Sequence, residues 1–389
     1  MGRITGTYRT TDVGGEKVRA FVPHPLPPCD PPLLLGGDLD GLHREAMAAT
    51  ERLNLATSMV PSPDWFLYGF VRKEAVISSQ IEGTQATLED VVSFEATRQA
   101  ERPAEVEEVC KTIDALALIR GELTTDDGLP LCARLLCRAH ERLMRGVRGA
   151  EKQPGEVRRS QNWIGGSRPG TAHFVPPPPD VIPEALDALE AWLHEDDPLP
   201  PLVRAGLAHV QFETIHPFLD GNGRIGRLLI VILLEHWHVI DAPLLYLSVA
   251  FKRHRQEYYA CLNAVRAAGD WEGWTAFFLR CVREAADDAV AAARRLHTVI
   301  GQHRRALTGH GETTMNAVRL FESLPDHPMI TLPSAAKLID ASPPTAGKAI
   351  ELLCRMNILR EVTGKKRDRV YAYQDYLDVL AEDTSISRQ

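Results

Sequence analysis

The sequence predicts a mainly α-helical protein that ends in a small helix-and-hairpin module. Three observations carry this. Apolar residues recur at helical spacing from Leu39 to about residue 305, with one long change of character at residues 157–179. That stretch places turn residues between β-formers and ends in four prolines. After Gly311, short helical patterns separated by a Ser-Pro-Pro turn are followed by two β-like runs.

The elements follow in order. Residues 1–37 contain Phe21-Val22-Pro23-His24-Pro25-Leu26-Pro27-Pro28, which predicts an extended segment lying over the surface. Helical periodicity starts at Leu39 and breaks at Pro61 and Pro63. The next helix covers 64–81, with Leu67, Phe70, Val71, Ile77 and Ile81 near one face and Gly83 as its stop signal. Thr87-Leu88-Glu89-Asp90 reads as a capped start. Helix continues to about 119 and again over 131–144. Residues 158–176 form an exposed β-hairpin or ordered loop. Helices at 183–193, 202–214, 253–267 and 271–305 complete the central part. In the last part, 316–323, 332–339 and 345–356 are helical, and 359–362 and 369–373 are β-like. Helix, turn, helix, hairpin is the winged-helix order.

With a mode of about 100–150 residues per domain, the 389 residues are expected to form three parts: 1–115, 116–305 and 306–389. A hydrophobic content of 44% supports several cores. A formal net charge of −8 argues against a protein that coats nucleic acid over its whole surface, and leaves room for one basic module. The seven cysteines lack a CxxC pair, as expected of incidental thiols in a reducing compartment. The first twelve residues are polar, with no signal-peptide core, and no apolar run approaches the ~20 residues that span a bilayer. A cytoplasmic protein without a membrane partner is expected.

The chemistry concentrates in His216-Pro217-Phe218-Leu219-Asp220-Gly221-Asn222-Gly223-Arg224-Ile225-Gly226-Arg227, followed by an apolar run from Leu228. A Gly- and Asn-rich turn that opens a helix presents unpaired N–H groups at the positive end of the dipole, a setting for phosphate. Arg224 and Arg227, three apart, can address one anion. Asp220 suits Mg²⁺, which bridges substrate phosphates to one or two carboxylates. His216, with an ordinary pKa near ~6.5, can take a hydroxyl proton at neutral pH. The residues describe a metal-nucleotide site with a base beside it.

This stretch resembles, position for position, the Fic signature: His, any, Phe, any, Asp or Glu, Gly, Asn, Gly, Arg, two any, Arg. At average residue usage, chance matches in such a chain number on the order of 10⁻⁸. The resemblance implies a Fic-fold helical bundle with a β-hairpin flap, and transfer of AMP from ATP to a Ser, Thr or Tyr hydroxyl of a target protein, the chain itself included. It implies that His216 is the base, that Asp220 holds Mg²⁺, and that Gly221, Asn222, Gly223, Arg224, Ile225, Gly226 and Arg227 form the ATP phosphate site, with Arg227 at the γ-phosphate. The related death-on-curing toxins, which transfer phosphate, carry Lys at the position of Gly223 and Ala at that of Gly221. This chain follows the adenylylating pattern.

Ser78-Ser79-Gln80-Ile81-Glu82-Gly83 is similar to the family's inhibitory motif. The resemblance implies that Glu82, oriented by Ser78, pairs with Arg227 and holds ATP in a non-productive pose. The 158–176 segment resembles the flap that takes the target as an added strand, with Ile164 and Phe174 as clamps. Tyr259 is similar to a residue that contacts adenine. Lys365, Lys366, Arg367 and Arg369 make the wing basic, whereas Lys348, Glu351 and Arg355 give the preceding helix a poor base-reading face. DNA is therefore a second candidate partner, and homodimers are common in the family. The alternatives are a DNA-binding regulator whose core senses nucleotide, and a Fic enzyme that transfers another phosphate-linked group or removes AMP.

Overall fold

The computed structural model describes residues 3–58, 64–147, 149 and 151–385. The break read at Pro61 and Pro63 lies outside the described residues. A hairpin of β1 (Gly6–Val13) and β2 (Glu16–Pro23) is followed by α1 (Asp38–Ser58), α2 (Asp64–Ile81), α3 (Leu88–Thr97), α4 (Pro103–Thr124) and α5 (Ala133–Met144). Next come α6 (Ile182–His194), α7 (Pro201–Ile215), α8 (Asn222–His236), α9 (Leu247–Arg253), α10 (Arg255–Ala268) and α11 (Trp271–Thr308). The last part holds α12 (Met315–Ser323), β3 (Met329–Thr331), α13 (Leu332–Leu338), α14 (Pro343–Arg355), β4 (Arg360–Glu361), β5 (Val370–Ala372) and α15 (Gln374–Ala381). The architecture is mainly α. No helix among the described residues is long and apolar enough to cross a membrane.

The chain forms two compact units, each assembled from discontinuous segments. The first takes Met1–Glu51, Lys111–Asp241 and Leu247–Ala285. Its centre is α7, buried from Leu202 to Ile215, packed on α8, which is apolar from Leu228 to Leu234. A helix apolar on all sides belongs in the middle of a bundle. An aromatic group of Phe251, Tyr258, Trp274 and Phe277 closes around His209 of α7.

The N-terminal segment departs from the expectation of an extended surface strip. Residues 6–23 pair in register from Gly6↔Pro23 to Val13↔Glu16, and Gly14 and Gly15 both adopt positive φ at the turn. A two-residue Gly-Gly turn between alternating β-formers supports this hairpin. Phe21 and Leu26 are buried, so the segment is anchored in the unit.

The second unit takes Arg52–Cys110, Ala242–Tyr246 and Ala286–Gln389. In it, α2 ends in a Schellman arrangement: Gly83 at φ +100° donates to Gln80 O at 3.0 Å, and Thr84 N–H reaches Ser79 O at 3.2 Å. Thr87 and Asp90 cap α3 reciprocally. The C-terminal strands form an antiparallel sheet in the order β3-β5-β4. Strand β3 and helix α15 were not read from the sequence. Helix α15 packs on α2, where Leu380 fills the space over Gly69, and Gln80 Nε2 donates to Thr384 O at 2.9 Å.

Candidate active site

Everything in the 216–227 stretch hangs on the junction of α7 and α8. His216 ends α7 in the left-handed region, φ 50° and ψ 61°, with its N–H on Phe212 O at 2.9 Å. The chain then turns over Pro217 and Phe218. Asn222 holds that turn shut: its Oδ1 accepts from Phe218 N–H at 2.9 Å, and its Nδ2 donates to Phe218 O at 2.8 Å. Gly221 caps α8 at φ 75°, and a Cβ there would stand 3.1 Å from Met144 Sδ. Only glycine meets both demands. The first hydrogen bond of α8 is Ile225 N–H to Gly221 O at 3.1 Å, and the N–H groups before it are those a helix start leaves without intrahelical acceptors.

The ring of His216 is 17% exposed, its Nδ1 buried and 4.0 Å from Glu213 Oε2. That leaves Nε2 as the nitrogen positioned to meet a hydroxyl. Burial, assisted by Arg266 and Arg158, lowers its pKa to about 3. The ring is therefore neutral at physiological pH. The Asp220 side chain is 46% exposed, with Oδ1 accepting from Gly221 N–H at 2.7 Å and lying 3.9 Å from Arg224 Nη2. Arg224 and Arg227 are both buried, and Arg224 also touches Met144 Sδ at 3.7 Å. Among the described residues no group of three or more His, Cys, Asp or Glu gathers as a metal site. One half-exposed carboxylate beside a helix start fits Mg²⁺, which keeps waters and takes its other ligands from substrate phosphates.

Ile225 and Gly226, read from the sequence as part of the phosphate-binding run, face inward. Ile225 is fully buried, and the Gly226 carbonyl accepts from His209 Nδ1 at 2.9 Å. A Cβ on Gly226 would lie 2.6 Å from Glu213 Oε1 and 3.2 Å from Phe212. We expect Gly226→Ala to push α8 off α7 and cost about 1–3 kcal/mol, the usual range for overpacking. An unchanged urea midpoint would show that the two helices tolerate the methyl.

The 158–177 loop is closed by one antiparallel bridge, Ile164↔Phe174, around a 3-10 turn at Pro169–Thr171. Ile164 N–H donates to Phe174 O at 2.8 Å, and His173 N–H to Ile164 O at 2.9 Å. The Phe174 ring packs between Phe21, 6.2 Å away, and the Arg266 guanidinium, 4.0 Å from its centroid. Strand β2 splints the loop: Phe21 N–H donates to Val175 O at 2.9 Å, and Glu16 holds Arg168 at 2.9 Å and Gly170 N–H at 2.8 Å.

Of the other sequence-read residues, Tyr259 on α10 is 40% exposed beside Arg255, while Tyr258 is buried with its hydroxyl on His209 Nε2 at 2.8 Å. Ser78 and Glu82 belong to the second unit, Ser78 buried within α2 and Glu82 exposed at its C-terminal cap. Lys365, Lys366, Arg367 and Arg369 are exposed between β4 and β5.

Sequence reasoning missed four supports. His140 stacks on Phe218 at 3.8 Å and 5°. Gly155 N–H donates to its Nδ1 at 2.9 Å, which assigns the proton to Nε2, and Nε2 donates to Asp220 O at 3.0 Å. His209 bridges α7, α8 and α10 in the same way, through Gly226 and Tyr258. Arg266 donates to Glu213 O at 3.0 Å and Thr214 Oγ1 at 3.1 Å. Arg158 donates to His216 O at 2.9 Å. An Arg or His among apolar neighbours was the available signal, but most of the partners are backbone groups, which cannot be named from sequence.

A left-handed histidine, a clamped turn and a glycine-capped helix start thus lie together at the junction of α7 and α8. Residues 130–234 match the Fic/DOC family profile, and residues 41–118 match the profile of the Fic/DOC family N-terminal region. Over these two stretches the chain carries a Fic/DOC domain and the region that precedes it in that family. It is 29% identical over 257 residues to protein adenylyltransferase Fic of Drosophila erecta, covering 63% of this chain and 46% of that protein. To the Nematostella vectensis protein of the same name it is 28% identical over 252 residues, covering 61% and 53%. The chain thus spans about half the length of these relatives. In fold it is similar to a Fic family protein from Desulfovibrio desulfuricans, with a TM-score of 0.58 and 22% identity, covering 88% of this chain and 97% of that one. A Fic domain containing signaling protein from Bacteroides thetaiotaomicron gives a TM-score of 0.51 and 17% identity, covering 65% and 97%.

Proposed function

We propose that the chain is a protein adenylyltransferase that moves AMP from ATP to a Ser, Thr or Tyr hydroxyl of a target protein. The observation that carries this is a partly exposed His216 fixed four residues before the half-exposed Asp220 and six before the start of α8. The similarity to proteins named adenylyltransferase Fic supports the choice of AMP as the transferred group.

His216 Nε2 takes the hydroxyl proton as the oxygen attacks the α-phosphorus. The bond from that phosphorus to the bridging oxygen breaks, and pyrophosphate leaves. The first-turn N–H groups at Asn222 and Gly223 receive phosphate oxygens, with Arg224 and Arg227 adding charge. Ile225 and Gly226 keep that helix start in place from behind. Asp220 would hold Mg²⁺, which when bound neutralises phosphate charge. Tyr259 lines the adenine end, and the 158–177 loop takes the target segment as an added strand beside Ile164 and Phe174.

The motif at Ser78 and Glu82 supports built-in inhibition acting on the γ-phosphate arginine, Arg227. A carboxylate at a helix C-terminal cap sits against the dipole and favours a cationic partner. The order α12, β3, α13, α14, β4, β5 supports reading residues 306–389 as a winged-helix unit.

Intact mass of the Glu82→Gly chain after incubation with ATP and Mg²⁺, with and without a cell lysate, tests the whole reading. We expect a gain of one or more AMP units on the chain or on a lysate protein, well above the unsubstituted chain. A gain of phosphate would reassign the transferred group. No gain with ATP bound would sink both the inhibition and the transfer.

A further inference from the structure

We propose that Arg158 is a positioning residue that ties the 158–177 loop to the base, so that a strand docked on the loop presents its hydroxyl in register with His216. The inference rests on the transferase reading above. Arg158 is 1% exposed, and its main chain and guanidinium make four hydrogen bonds, all to backbone carbonyls. Its N–H donates to Pro217 O at 2.9 Å and its Nε to His216 O at 2.9 Å. Nη1 reaches Ser160 O at 3.1 Å and Nη2 reaches Pro177 O at 2.6 Å. One planar group therefore joins both ends of the loop to the carbonyl of the base. Gln161 Nε2 to Pro176 O at 2.8 Å and Asn162 Nδ2 to Phe218 O at 3.1 Å continue the same seam.

Among the described residues Arg158 forms no ion pair, although burying a charge is costly without strong partners. A rigid fork that meets several carbonyls at once gives a reason for arginine here, which a lysine ammonium cannot reproduce. The arrangement also has an electrostatic effect. His216 is faced by Arg158 from the loop, Arg266 from α10 and Glu213 from its own helix, and the two cations help burial to hold its pKa down. Burial lowers the Arg158 pKa only to about 10, so the group stays charged at neutral pH.

The test compares Arg158→Gln and Arg158→Lys in the full chain carrying Glu82→Gly. Three readouts are used: amide hydrogen exchange, AMP transfer alongside separately measured ATP affinity, and NMR titration of the His216 ring. In both variants, exchange should rise together in 158–177 and 216–218 while α7 and α8 stay protected. Transfer should fall about 10²-fold, as expected when a reacting group is misplaced by an ångström, with ATP affinity unchanged. The His216 titration should move up in Arg158→Gln and stay low in Arg158→Lys. Unchanged exchange in both segments would overturn the proposal, as would a loss of transfer that follows a loss of ATP affinity. If Arg158→Gln does not fold, the lysine variant alone decides through exchange and transfer. If the Glu82→Gly parent transfers nothing, the transferase reading fails, while exchange and titration still decide the role of Arg158.

Discussion

Replacing His216 with Ala is expected to abolish AMP transfer in the Glu82→Gly chain while ATP still binds. A positioned general base contributes typically 10²–10⁴-fold, and among the described residues no other titratable ring is offered to an incoming hydroxyl at this turn. His140 and His209 lie near but are spent on backbone and tyrosine partners. The imidazole is not among the groups proposed to hold phosphate, so nucleotide affinity should hold. The measurement is initial rate of AMP incorporation beside a direct ATP-binding titration. Residual transfer within tenfold of the parent would move the base elsewhere.

Acid should destabilise the first unit well before carboxylates protonate. His140 is held at about 4 by burial, His209 at about 3 by burial, and His216 at about 3 by burial and two arginines. In the unfolded chain each ring titrates near ~6.5. Below that value the unfolded state binds more protons, so stability falls as the pH drops toward the folded values. Above it, all three rings are neutral in both states and their contribution is level. Each ring accounts for about 1.4 kcal/mol per pH unit, so the three together cost roughly 6 kcal/mol at pH 5. That is comparable to the whole stability of an ordinary domain, about 5–15 kcal/mol. Urea midpoints at pH 7 and pH 5 check this, and equal midpoints would mean that the rings are solvated.

Much of the candidate site was legible because its groups are contiguous. Base, carboxylate, glycines and both arginines fall within residues 216–227, one turn and the start of one helix. Local chemistry was legible for the same reason, as in the Gly83 stop of α2 and the Thr87–Asp90 cap of α3. The Gly14-Gly15 hairpin was written in the sequence too, but the proline-rich run after it drew the reading toward an extended strip. What escaped was long-range and anonymous. Arg158 lies 58 residues before His216 and binds carbonyls, which every residue carries. His140 binds the carbonyl of a residue 80 positions on, and Glu16 meets a loop more than 150 away. Nor does residue order show that α2 and α3 pack with the C-terminal helices and strands, because the second unit is gathered from three separate segments.

His216 occupies a backbone conformation that glycine or asparagine would adopt more readily, at a cost of about 1–2 kcal/mol for a side-chain-bearing residue. The backbone by itself therefore gains nothing from histidine there. Random change would drift toward residues that relax the turn, and only a continuing demand for an imidazole opposes it. The position works as a gauge of use: a lineage that keeps the ring against the backbone's preference is one in which the ring is still being asked to work.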